Sequence, residues 1–491
     1  MKFQVYKNGK RLDSYDLYGA YLLGTDGIAI RRSQIAFEDG CIVCRKPNME
    51  TSALVLLWNV EGFGKILLST TCLPEREKPY ILNVELARAR LMQIITKRED
   101  WSFFSSIGEL ADSSKPAHEL FTKSIQNIGE AVLASKLADE SLKNSLVFSE
   151  QLAVKQAGLL FDLRVSNKSF GRGCFGVKVD PLLMKNPAYA AKVFDLFGMV
   201  TIPINWAKSE PQQGKYNYDD IDACLNAVGK RKIGICAGPL LQFSECHIPS
   251  WLHGESNFEK VREAAYQFVM NTVSRYTSVI RLWRVISCLN NCNHFSFSFE
   301  QVLEMTRSVS MAVKAANERA LKIIEICNPW GEYYAESSGT IPPLVYLDMI
   351  LQSGINFDAL GLQMRFGDNK SGMHVRDMMQ ISAALDQYAP LVKPVYITEV
   401  EVPSQYPDSK TYPESVGVWH HTWEQNIQAK WLELFTKIIL SKPFIDGFTY
   451  SQLVDSNNSV IPNSGLLDQQ LNPKKSYQII HKLRDVIFAQ P

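Results

Sequence analysis

Lys322-Ile-Ile-Glu-Ile-Cys327, Ala359-Leu-Gly-Leu-Gln363 and Pro394-Val-Tyr-Ile-Thr398 are three short apolar runs separated by stretches of helical periodicity. Apolar runs of roughly four to eight residues without strict alternation read as strands buried on both faces, the condition of a parallel sheet. The same texture extends outward, through Val279–Ile286, Lys232–Ala237, Met199–Ile204 and Cys174–Val179 on one side and Ile445–Tyr450 on the other. Eight such strands alternating with amphipathic helices predict an α/β fold, a (β/α)8 TIM barrel over residues 158–491. An open doubly wound sheet is the competing arrangement. No Gly-x-Gly-x-x-Gly follows its first strand, which disfavours a dinucleotide-binding version.

Upstream the texture changes. Phe3–Tyr6, Gly27–Arg31, Ile35–Phe37, Cys41–Cys44, Ala53–Leu57 and Lys65–Leu68 are short β-rich runs divided by Asn-Gly, Asp-Gly and Pro-Asn turns. Residues 1–80 therefore predict a small β-rich module. Residues 81–157 predict a helical connector: Leu86, Leu91, Ile94 and Ile95 suit one helix, and Leu120 through Leu159 suits one or two long ones. Ser113-Ser-Lys-Pro116 marks the break between them.

The 491 residues are 46% hydrophobic and 21% charged, enough apolar side chain for a large core. With 52 Lys+Arg against 51 Asp+Glu the net charge is +1, so no basic field exists to hold nucleic acid. The amino terminus lacks the apolar run of a signal peptide, and no stretch is long and apolar enough to span a bilayer. A cytoplasmic protein without membrane association is expected. Ten cysteines are too dilute for a disulfide scaffold, and in a reducing compartment they are expected to be mostly free and buried.

After the second apolar run of the barrel comes Trp206-Ala-Lys-Ser-Glu210-Pro211-Gln-Gln-Gly214-Lys-Tyr216-Asn217-Tyr218, then Asp222. Ile248-Pro249-Ser250-Trp251, Phe357-Asp358-Ala-Leu-Gly361-Leu-Gln363 and Val395-Tyr396-Ile397-Thr398-Glu399-Val400-Glu401-Val402 follow in order. Asp455, then Leu466-Leu467-Asp468 with Pro473-Lys474-Lys475-Ser476-Tyr477, complete the series. Together these segments resemble glycoside hydrolase family 10, the retaining endo-xylanases, over roughly residues 175–480. The resemblance implies a two-carboxylate mechanism, with one Glu attacking the anomeric carbon and a second protonating the leaving oxygen. It places the nucleophile at Glu399; position alone also allows a structural carboxylate at the barrel mouth.

The acid of that family ends the fourth strand in "W-D-V-x-N-E". Here the run is Trp283-Arg284-Val285-Ile286-Ser287-Cys288, so Cys288 occupies the acid position. A thiol is a weak hydrogen-bond donor and a poor match to an acetal oxygen. Other sugar-contacting positions differ too: only Trp206 remains of "E-N-x-M-K-W", the strand-three His pair is absent from Gly238–Ser244, and Arg365 replaces the His after Gln363. Tyr450-Ser451 stands in place of "W-G". Arg365 beside Glu399 would pair with it and lower its pKa.

Glu332, in Asn328-Pro329-Trp330-Gly331-Glu332-Tyr333-Tyr334, is the candidate substitute acid; its alternative is a solvated loop residue. Glu401, Asp368 and Asp455 are weaker candidates. Trp206, Gln363, Arg365, Trp330, Tyr334 and Asp455 are the candidate substrate-binding residues, since aromatic faces stack on sugar rings and amides and charges bind hydroxyls. Phe366, Tyr406, Tyr412, Trp419 and Trp423 add to the aromatic content near the mouth, and His420 and His421 could bond a ligand. Equally, Trp419–Trp423 could begin a long helix and cover the barrel. Cys288, Cys292 and His294, with Cys246 and His247, suggest zinc by residue type, but their spacing fits no common zinc pattern and free thiols are the reading adopted. Cys41-Ile-Val-Cys44 reads as core packing. The expected function is hydrolysis of β-linked, xylan-like glycans by a divergent family member, with no cofactor or metal and an oligosaccharide or polysaccharide as ligand. The alternative is an inactive barrel that binds a saccharide or a protein. Oligomeric state is not read from the sequence.

Overall fold

The computed structural model describes residues 1–101, 112–229, 231–407, 412–456 and 459–488. Eight parallel strands, Phe175–Lys178, Met199–Ile202, Gly234–Ala237, Leu282–Ser287, Leu321–Cys327, Ala359–Arg365, Val395–Glu401 and Ile445–Tyr450, close into a barrel. Closure comes where the first strand pairs with the eighth, Gly176 opposite Thr449, and the third with the fourth, Cys236 opposite Leu282. All eight expected runs are strands, with ends shifted by up to a few residues. The cause of the assembly is visible in each run: Val200, Ile286, Ile324, Leu360 and Ile397 are fully or almost fully buried, as strands covered on both faces must be.

Helices on the outside carry recognisable start signals. Phe258–Arg275 begins at Asn257, whose side chain accepts from the amides of Glu259 and Lys260. Phe299–Ala316 begins at a capping box of Ser298 and Gln301, and Met378–Asp386 at one of Asp377 and Gln380. These caps fix where each helix starts and hence how it leans on the sheet.

The N-terminal region forms two four-stranded sheets. One orders Gln34–Glu38, Cys41–Arg45, Lys2–Gln4 and Tyr80–Ile81. The other orders Val418–Trp419, Gly64–Ser69, Ala53–Val60 and Tyr21–Leu23. The expected strand Gly27–Arg31 is absent. Asp26 Oδ1 accepts from the Ile28 amide and Gly27 adopts φ 75°, so the segment turns, leaving one bridge from Ala29 to Leu23. Val418–Trp419 comes from the loop after the seventh barrel strand, so this sheet is built jointly by the N-terminal region and the barrel. Gly64 is required at the join: a Cβ there would lie 2.2 Å from the Val418 carbonyl oxygen.

Helices Leu82–Asp100, Lys115–Gln126 and Ala131–Ser166 follow. The last runs straight through 157 and 158, so the expected boundary there falls inside a helix; the isolated Gly158 does not break it. This 36-residue helix packs against Gln425–Ser441 and Met378–Asp386 of the barrel. A buried ion pair between Arg90, on Leu82–Asp100, and Asp377 ties a second helix of the region to the barrel. Apolar side chains of both sheets, the helices and the barrel form one continuous cluster, from Phe3 and Leu56 through Leu146 to Ile397. No helix among the described residues is long and apolar enough to cross a membrane.

Candidate functional site

Inside the barrel, toward the carboxyl ends of its strands, charged side chains from five strands converge. Glu399 on the seventh strand is 5% exposed. Its Oε1 accepts from Arg284 Nη2 on the fourth strand at 2.9 Å. Its Oε2 pairs with Arg365 from the sixth strand and lies 3.4 Å from Lys178 Nζ on the first. Arg284 Nη2 also lies 2.6 Å from Glu325 Oε1 on the fifth strand, and Arg365 Nε lies 3.7 Å from Glu401. Three cations and three carboxylates thus form a closed network, which is how a barrel interior can hold charge at all.

For two members, Lys178 and Glu325, the surroundings shift the ionisation. Burial lowers the Lys178 ammonium to about 8, and the adjacent Arg365 and Arg284 add to the effect against the opposing pull of Glu401. Burial works to raise the Glu325 carboxyl, but Arg284 and surrounding hydrogen bonds outweigh it and hold the group below the usual carboxylate range. Arg284, Glu325 and Lys178 were not singled out from the sequence. Their signal was available: a lone charge inside Trp283-Arg284-Val285 or Ile324-Glu325-Ile326 must find a partner.

Cys288 sits just past the fourth strand with φ 57° and is buried. Its sulfur is 3.1 Å from Ser287 Oγ, which accepts from Gln363 Nε2 at 3.2 Å. Burial pushes the thiol well up, so it remains protonated at neutral pH. Gln363 is thus held within the wall, and Arg365 faces Glu399 as expected for an ion pair.

Glu332 is not a solvated loop residue. It is 3% exposed, pairs with Arg376 and accepts from the Gly372 amide, so its carboxyl is engaged within the protein. The aromatic candidates are also engaged within the protein. Trp206 is buried, donates from Nε1 to Glu210 at 2.8 Å and stacks on Phe268. The Arg376 guanidinium covers the Trp330 ring at 4.2 Å, and Arg31 covers Tyr334 at 3.9 Å. Arg31 also donates to the Thr340 carbonyl at 2.6 Å, so the N-terminal region is seated on the loop after the fifth strand. Trp419 lies in the shared sheet, its Nε1 donating to Glu150, and the long helix starts only at Gln425. His420 also contacts Glu150, at 2.5 Å. Asp455 is bound by Lys474 at 2.5 Å and by the Gly465 amide.

An open cavity of about 840 Å³ remains at the mouth beside the first, second and eighth strands, lined by Lys178, Asp180, Asn205, Lys208, Ser451 and Gln452 among others. Among the described residues no group of three His, Cys, Asp or Glu is arranged to hold a metal ion.

The model of glycosyl hydrolase family 10 matches residues 164–483, well over half of the chain. A curated relative, an endo-1,4-beta-xylanase 5-like protein of Arabidopsis thaliana, is 22% identical over 364 residues, 72% of this chain. The match spans 59% of that relative's length. Xylanase 10B of Thermotoga petrophila RKU-1, solved in complex with xylobiose, superposes with a TM-score of 0.51 at 16% identity, covering 65% of this chain and 96% of that one. Native xylanase 10B of Thermotoga maritima gives 0.50 at 16% identity, covering 67% and 99%. The likeness to these structures is one of fold. With the barrel, its closing register and the family model in agreement, the chain belongs to glycosyl hydrolase family 10.

Proposed function

We propose that this family member binds a β-linked, xylan-like oligosaccharide at the mouth of its barrel without cleaving it by the two-carboxylate route. The observation that carries the proposal is the pairing of Glu399 with Arg284 and Arg365 while a buried thiol, Cys288, stands where the acid is expected. Two guanidinium partners withdraw electron density from the carboxylate and fix its orientation, which opposes attack on an anomeric carbon. Glu325 does not substitute as the acid, because it is held in its charged form. A positioned acid contributes about 10²–10⁴ in rate, so its loss is severe even with the nucleophile in place.

Binding is supported by the cavity. Its volume of about 840 Å³ suits a short oligosaccharide, and Asn205, Ser451, Gln452 and the lysines offer donors and acceptors for sugar hydroxyls. The xylobiose complex of the Thermotoga petrophila relative supports a xylan-like ligand. A second reading, a divergent hydrolase, is favoured by one observation: Glu399 lies near the end of the seventh strand, where the family resemblance places the nucleophile.

Calorimetric titration with xylo-oligosaccharides, run beside turnover of aryl β-xylosides by the parent and by Glu399→Gln, separates these readings. Saturable binding with turnover no higher than the variant's is the expected result. Turnover that Glu399→Gln abolishes would establish the hydrolase, and absence of both binding and turnover would overturn both readings.

A further inference from the structure

Three cysteines meet at the carboxyl ends of the fourth and fifth barrel strands. The Cys288 amide donates to the Glu325 carbonyl at 2.9 Å, which sets Cys288 beside the end of the neighbouring strand, where Cys327 lies. The Cys292 amide donates to the Cys288 carbonyl at 2.6 Å. Residues joined by such an i to i+4 turn lie about 6 Å apart at Cα, within the span a disulfide bridges. All three thiols are free, and the backbone bonds set them side by side at one end of the two strands. Asn291 Nδ2 approaches Cys327 Sγ at 3.7 Å. Cys288 and Cys327 are buried, while Cys292 is partly exposed and so open to a small reagent.

The three sulfurs are not equivalent. Bonds from the Cys288 and Cys327 thiols favour the charged form of Cys292 more than burial opposes it, and His247 and Arg365 add positive potential. Cys288 is pushed the other way by burial and by donating to its neighbours. Cys327 is pulled down by Cys288, but donating to Cys292 and burial outweigh that and keep it protonated. A partly exposed cysteine with two buried cysteines beside it, its charged form favoured, is the arrangement of a reactive thiol with resolving partners.

We infer that Cys292 is a modification site that peroxides oxidise, and that Cys288 or Cys327 then closes a disulfide with it. In the first step the Cys292 thiolate attacks one peroxide oxygen. The O–O bond breaks, a sulfenic acid forms and the departing hydroxide takes a proton to become water. In the second, the neighbouring sulfur attacks the sulfenic sulfur, the S–O bond breaks and the hydroxyl leaves as water with that thiol's proton. Two thiols lose two electrons and hydrogen peroxide is reduced to two waters. The product carries no charge on Cys292, which changes the field at Arg365 and through it the pairing of Glu399. A dithiol reductant reverses the bond.

The test uses the full chain, freshly reduced. Iodoacetamide at pH 6, followed by peptide mapping, is expected to label Cys292 about tenfold or more faster than the exposed Cys72, as the thiolate fraction dictates. Stoichiometric hydrogen peroxide is expected to remove two hydrogens from the protein and to link Cys292 to Cys288 or Cys327, reversibly with dithiothreitol. Cys292→Ser, with its fold checked by thermal melting, is expected to abolish the link. Labelling of Cys292 no faster than Cys72, or peroxide consumption by other cysteines with these three left as thiols, would overturn the inference on the parent protein alone.

Discussion

Arg284 on the fourth barrel strand and Glu399 on the seventh are joined by a hydrogen bond of 2.9 Å, with the guanidinium 1% exposed. The same nitrogen holds Glu325. One cation therefore supports two carboxylates in the barrel interior.

Arg284→Met should be strongly destabilising, because it leaves Glu325 and Glu399 with less positive charge in a place water does not reach. Breaking a buried pair by removing one partner costs about 3–5 kcal/mol. Urea denaturation of the variant should show a loss of that order, and a loss below about 1 kcal/mol would mean that Arg365 and Lys178 suffice. Adding Glu325→Gln should recover part of the loss, since one uncompensated carboxylate is then gone.

His374 should make stability fall on the acid side. The ring is 2% exposed, neither nitrogen has a hydrogen-bond partner, and burial lowers its pKa to about 4. In the unfolded chain a histidine titrates near 6.5, so between those values the unfolded state binds the extra proton. Stability therefore rises with pH through this window and is lost as pH falls from about 6.5 toward 4. Between pH 7.5 and 5 this one group should remove about 2 kcal/mol. His374→Leu should flatten that part of the profile in denaturant midpoints measured at the two pH values.

The barrel was legible because its signal is local: each of its strands is a short apolar run in the sequence, and Glu399 is placed by the residues around it. What escaped depends on contacts between distant segments. Glu332 has the composition of an exposed loop residue, and only Arg376, which arrives with the following strand's loop, makes it a buried ion pair. Trp330 and Tyr334 read as sugar platforms until Arg376 and Arg31 are seen to occupy their faces. Nor does any local pattern tell that Val418–Trp419 will extend a sheet begun at Tyr21. The charges of Arg284 and Glu325 were visible inside apolar runs, and demanding a partner for each would have found the network.

The N-terminal region should be inseparable from the barrel. Arg90 and Asp377 form an ion pair with side chains 3% and 0% exposed, and Asp377 is also the cap of helix Met378–Asp386. Arg90→Leu would leave the carboxylate buried and should cost about 3–5 kcal/mol. Its effect should appear as one cooperative transition at lower denaturant, because the apolar core is continuous across the two regions. Two separated transitions in the parent protein would show that the regions unfold independently.

Restoring an acid at the expected position should not by itself restore catalysis. Cys288→Glu would place a longer side chain at a buried site with φ 57°, amid the thiols of Cys292 and Cys327, while Glu399 kept both guanidinium partners. Turnover of an aryl β-xyloside should rise by less than about tenfold, far short of the 10²–10⁴ a positioned general acid supplies. Removing one of the three cations that hold Glu399 changes the balance. In Cys288→Glu with Arg365→Gln, Glu399 Oε2 loses its guanidinium partner, and the smaller, uncharged glutamine leaves room beside it. The double variant should exceed the sum of the two single effects, because the acid and the freed carboxylate act as a unit. Additive effects would place the obstacle elsewhere, in the cavity side chains that meet the sugar; a Cys288→Glu single variant with full turnover would show that the pairing of Glu399 does not restrain it.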